Sequence, residues 1–109
     1  MEFKNGVERA FGRIKDDLLP TGLEAAPALS RDAGREVLVQ WESRQRTGSF
    51  KIRGALNKIR SLPEDRSGAV LVSASTGNHG LAMAWAAERD ARRLVLFLPE
   101  TVAPHKLAR

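Results

Sequence analysis

Short apolar runs alternate with stretches of helical period along this chain, and that order dictates a layered α/β architecture. Residues 36–41 (EVLVQW), 69–74 (AVLVSA) and 93–98 (RLVLFL) have the length and branched apolar composition of strands. After Lys51, the residues Ile52, Ala55, Leu56, Ile59 and Leu62 recur at helical spacing to about residue 62, and a further helix is predicted over 79–89. Strand, helix, strand, helix, strand is the pattern of right-handed parallel crossovers, and periodicity alone puts the three strands in one sheet. The run 69–74 reads as a strand covered on both faces.

Upstream, residues 2–19 form a predicted helix with Val7, Ala10, Phe11, Ile14 and Leu18 on one stripe. Pro20-Thr21-Gly22 ends it, and a linker runs to Pro27. Residues 28–34 have room for a short turn of helix, and 63–68 (PEDRSG) form a loop. Residues 102–109 open like a helix, with Pro104 suited to its first turn.

Composition narrows the class. A chain of 109 residues lies near the lower end of the usual domain range of about 100–150. No stretch approaches the roughly 20 apolar residues of a membrane span, and Met1-Glu2-Phe3-Lys4-Asn5-Gly6 lacks the apolar core of a secretory signal. With no cysteine there is no disulfide and no thiolate metal site, and no metal site is expected. These features fit a cytoplasmic protein. The net charge of +5 raises nucleic-acid binding, but the cations are scattered, no run of five or six occurs, and tyrosine is absent. The basic and stacking surfaces of nucleic-acid binders are missing.

Two segments carry chemistry. In Thr47-Gly48-Ser49-Phe50-Lys51-Ile52-Arg53-Gly54-Ala55, Ser49 is a suitable N-cap, which puts Lys51 in the first helical turn. A cation there meets the positive end of the helix dipole, which disfavours its charged form. An amine so tuned forms Schiff bases with carbonyl compounds. The same spacing also suits a lysine on a solvated helix face, its stem lying over apolar neighbours.

The second segment, Ser73-Ala74-Ser75-Thr76-Gly77-Asn78-His79-Gly80, joins a strand end to a helix start. Small residues let backbone N–H groups converge at the positive end of a helix, which welcomes an anion. Ligands bind at such positions in open α/β sheets, beyond the carboxyl ends of the strands. The P-loop pattern is missing, as is the first glycine of a dinucleotide fingerprint. An ordinary capped turn is the alternative, with His79 as a capping histidine and His105 at the surface.

Ser49-Phe50-Lys51-Ile52-Arg53-Gly54-Ala55 resembles the S-F-K-x-R-G-A signature of the threonine dehydratase and serine racemase family. Ser75-Thr76-Gly77-Asn78-His79-Gly80 resembles its S-x-G-N-H-G loop, in the family's order and at about its separation. The resemblance implies a pyridoxal 5′-phosphate enzyme with the parallel-sheet tryptophan synthase β-like fold, fold type II. It implies Lys51 as the Schiff-base lysine and catalytic base, Phe50 as an apolar neighbour of the cofactor, and Asn78 as partner of its phenolic oxygen. Ser75, Thr76, Gly77 and His79 would hold the substrate carboxylate.

The resemblance also implies a division: residues 1–66 carry Lys51 and begin the larger domain, and 67–109 begin the smaller one. The cofactor would lie in the cleft between the domains. The family's phosphate-holding glycine loop and its partner for the pyridine nitrogen come later than residue 109. The chain is therefore expected to be an N-terminal portion, inactive alone, of a homo-oligomeric enzyme.

The implied reaction is deamination of a small hydroxy-amino acid, such as serine or threonine, to a keto acid. Racemisation or β-replacement on the same fold is the runner-up, and a non-catalytic truncated product is the alternative from another class. Thr76 departs from the pattern, standing where dehydratases commonly carry alanine and racemases serine. Its hydroxyl could move a proton, so Thr76 counts as a candidate catalytic residue.

Overall fold

The structure, a computed structural model, describes residues 1–101. The helix expected from residue 102, with Pro104 and His105, lies outside the described residues. In chain order the elements are α1 (Glu2–Ile14), β1 (Glu24–Ala25), α2 (Pro27–Ala33), β2 (Leu38–Val39), α3 (Lys51–Arg60), β3 (Leu71–Ala74), α4 (Asn78–Arg89) and β4 (Leu94–Phe97). Short 3₁₀ turns link several of them.

The strands divide between two sheets. β3 and β4 pair in parallel, Leu71 against Leu94 through to Ala74 against Phe97, with α4 as the crossover. β1 and β2 form an antiparallel pair, Glu24 against Val39 and Ala25 against Leu38. The single three-stranded sheet expected from periodicity is therefore absent among the described residues. The reason is local: only two residues of the 36–41 run are in a ladder, and their partner lies in the segment read as a linker. A two-residue bridge has no period to detect.

The helices close nearer to expectation. α1 stops at Ile14 and passes into a 3₁₀ turn, Lys15–Asp17, instead of running to residue 19. α2 fills the predicted short helix and ends on Gly34 in the left-handed region (φ 63°), where glycine carries no Cβ penalty. α3 ends at Arg60, two residues early.

One core joins α1, α3 and α4. Ile14, Ile52, Ala55, Leu56, Ile59, Ala82, Met83, Ala86 and Ala87 are buried in it, with Leu18, Leu71, Trp85 and Leu94 packed around. The alanines of α4 let α3 approach closely, and Ile52 and Leu56 are wholly enclosed. Each of those two stabilises the fold by about 1.5–3 kcal/mol through burial.

The expected two-sided burial of β3 is not seen. Val72 is 66% exposed, and Val95 and Phe97 of β4 are likewise exposed. Among the described residues α4 packs on one face of this sheet, so burial alternates along both strands.

Candidate active site

Lys51 opens α3. Phe50 takes the N-cap position expected for Ser49; Ser49, extended just before it, accepts the Lys51 N–H on Oγ at a long 3.4 Å. The exposed Lys51 side chain brings Nζ to 4.8 Å from the centre of the Phe50 ring. Both residues border a cleft of about 360 Å³ whose other walls include Ala55 and Lys58 of α3 and His79 and Met83 of α4. The two sequence blocks thus meet in one cavity, through Lys51 and His79.

The remaining loop residues lie outside that lining, between the carboxyl end of β3 and the first turn of α4. Ser75 is half-buried and its Oγ accepts the Gly77 N–H at 3.3 Å. Thr76, Gly77 and Asn78 are exposed, and Gly77 caps α4 without a side chain. His79 Nε2 lies 3.2 Å from the Ser73 hydroxyl, which ties the helix start back to the strand. Gly80 is required by close approach: a Cβ there would stand 2.6 Å from the Ser75 carbonyl oxygen and 3.2 Å from Leu96 Cδ2. That contact seats α4 against the strand end; as in any α-helix, the first-turn N–H groups have no intrahelical partners.

The segment leading to Lys51 is held by side chains. Gln45, 3% exposed, accepts the Leu19 and Arg46 N–H groups on Oε1, each at 2.9 Å, and donates Nε2 to the Leu19 carbonyl at 2.8 Å. Thr47 follows in the left-handed region (φ 63°), an unfavourable place for a β-branched residue, with its Oγ1 buried and unpartnered. Gly48 takes the same sign of φ without strain.

Two charge networks hold the elements that carry this site, one near the start of α3 and one at the far ends of α3 and α4. Glu42 binds Arg53 in a fork, with both N–H···O distances 2.8 Å, and also accepts from Thr21 and Gln40. The Arg53 hydrogen bonds hold the Glu42 carboxyl below its usual range against the opposing effect of burial, with Thr21 helping. Farther out, buried Asp17 accepts from Arg89 at 2.5 Å and from Arg60 at 2.6 Å, and Arg60 also binds Asp90. None of these residues was a sequence candidate. The one available signal was unlike charge flanking Lys51, Glu42 before it and Arg53 after it.

A lysine at a helix head thus borders a cleft whose far wall carries His79 of the strand-to-helix loop, within an α/β arrangement. Comparison with known proteins supplies the family. Residues 14–109 match the family model described as pyridoxal-phosphate dependent enzyme, and the chain belongs to that family. It is 41% identical to mouse serine racemase over 99 residues, covering 87% of this chain and 29% of that protein. It is 33% identical to L-threonine ammonia-lyase of Geobacter sulfurreducens over 101 residues, 93% of this chain and 25% of that one. The crystal structure of serine racemase from Dictyostelium discoideum superposes with a TM-score of 0.86 at 33% identity, covering 94% of this chain and 34% of that chain. The chain thus spans between a quarter and a third of these relatives.

Proposed function

We propose that this chain contributes to a pyridoxal-phosphate lyase that deaminates a small hydroxy-amino acid, serine or threonine, to a keto acid. The observation that carries this reading is the shared cleft of Lys51 and His79. What supports the cofactor assignment is an amine in an apolar-walled cavity, beside a helix start whose unpaired N–H groups suit an anion. When bound, the cofactor supplies an electron sink for the pair left by the departing α-proton.

The chain's own residues take the other tasks. Lys51 would hold the cofactor through Nζ and later carry the substrate α-proton. Phe50 would shield one side of the cofactor. Asn78 would donate to its phenolic oxygen, and Ser75, Thr76, Gly77 and His79 would bind the substrate carboxylate through backbone N–H groups and side chains.

Thr76 keeps a second reading open, racemisation: it retains a hydroxyl able to move a proton, although its β-branched side chain is stiff at χ1. We assign residues 1–66 and 67–109 to two domains, in line with the separate sheets, although α3 and α4 share one core. No described helix is long and apolar enough to cross a membrane. We infer a cytoplasmic homo-oligomer for the full-length form, with the 109 residues inactive by themselves.

The test is spectroscopic. Added pyridoxal 5′-phosphate should give the chain a new absorbance band above that of the free cofactor, and Lys51→Ala should abolish it. A band of equal strength in Lys51→Ala contradicts the reading. In the full-length form, keto acid from L-serine supports the lyase, and D-serine without keto acid supports the racemase.

A further inference from the structure

Glu42 and Arg53, 11 residues apart, form a clasp, with Lys51 at the start of α3 between them in sequence. The fork at Arg53 fixes the first turn of α3. The same Glu42 carboxylate takes the Thr21 hydroxyl at 3.1 Å and the Gln40 amide at 2.9 Å, so it ties that turn to the chain after α1 and to the exit of β2. Gln40 also donates to Thr21 at 2.7 Å, which closes the set.

The backbone alone cannot fix this geometry. Between Glu42 and Lys51 it runs through two short 3₁₀ turns and the strained Thr47, with no strand ladder. Helical residues two positions apart point about 200° apart around the axis. Holding Arg53 on one side of α3 therefore turns Lys51 to the other, where Phe50 and His79 border the cleft.

We propose that Glu42 and Arg53 are positioning residues for Lys51: their clasp sets the rotation of the first turn of α3, and with it the direction in which the amine enters the cleft. This rests on Lys51 as the cofactor-bearing amine. The exposed Arg44–Glu24 pair does not involve α3 and serves as a control.

The experiment uses the full-length form, its Glu42→Gln, Glu42→Asp and Arg53→Lys variants, and Arg44→Lys. Each is incubated with pyridoxal 5′-phosphate, fixed with borohydride and peptide-mapped, while far-ultraviolet circular dichroism reports the helices. The readout is the ratio of label on Lys51 to label on Lys15, an exposed lysine outside the cleft. The ratio should favour Lys51 in the parent and in Arg44→Lys. It should fall about tenfold in the clasp variants with helical signal retained, less than the roughly hundredfold that an ångström of misplacement can cost.

An unchanged ratio in folded clasp variants overturns the proposal. So does a loss of label that follows loss of helical signal across the three variants, which marks a pair that only holds the fold. Parent label that avoids Lys51 removes the functional reading and this one with it. Parent label on Lys51 with an unmoved ratio removes the clasp alone.

Discussion

Arg89 and Asp17 lie 72 residues apart in the chain and meet at 2.5 Å. With Arg60 between them, bound to Asp17 and Asp90, they lock the turn after α1 to both core helices. The Asp17 carboxyl is held below its ordinary value of 3.8, first by the Arg89 hydrogen bond and then by that of Arg60, against the opposing effect of burial. Because the folded value is depressed, this stabilisation is complete above 3.8 and drains as pH falls through the folded value. Asp17→Asn should lower unfolding free energy at neutral pH by about 1–3 kcal/mol, the usual loss for hydrogen bonds to a charged group. Urea unfolding across pH should show parent and variant converging in acid; a constant gap down to the lowest pH would exclude this role.

Gly80→Ala tests the seat of α4. The new Cβ would meet a backbone oxygen at 2.6 Å, which no rotamer change relieves. Overpacking of this kind costs about 1–3 kcal/mol. The variant should unfold at lower urea, and a crystal structure should show the His79–Ser73 contact lengthened. Parent-like stability would mean that helix and strand do not approach as described.

The clearest parts of the fold in sequence were long periodic elements. α3 and α4 were legible because Ile52, Ala55, Leu56 and Ile59, then Ala82, Met83, Ala86 and Ala87, repeat on the helical period and are buried. The β3–α4–β4 crossover followed from two apolar runs at strand spacing. The β1–β2 pair was hidden because its ladder is two residues long and antiparallel to a segment with turn residues.

For the site, the motifs supplied Lys51 and the 75–80 loop, and the structure brings Lys51, Phe50 and His79 to one cleft. The supports were not legible. Glu42, Gln45 and Asp17 act through contacts 11 to 72 residues distant, and such pairings leave no local pattern. Exposure of Val72 and Phe97 was also unreadable, since an apolar run says only that a cover suits it.

Thr47→Gly should stabilise the chain. A left-handed residue with a Cβ costs about 1–2 kcal/mol, and glycine returns part of that as chain entropy, so a net gain of about 0.5–1 kcal/mol is expected. The buried, unpartnered Oγ1 is removed as well. A lower urea midpoint for the variant would show that Thr47 contributes more than its strain costs.

Asn78→Ala should alter the absorbance of the cofactor-loaded protein and weaken turnover, because the phenolic oxygen loses its donor. The expected loss is about 1–3 kcal/mol where no water replaces the amide. Unchanged spectrum and unchanged turnover together would release Asn78 from the site.

The central claim is that Lys51 carries the cofactor, and peptide mapping tests it most directly. Full-length protein loaded with pyridoxal 5′-phosphate, reduced with borohydride and digested, should yield one labelled peptide in this region, with the label on Lys51. Label on Lys58 or Lys106 with Lys51 unmodified would contradict the account.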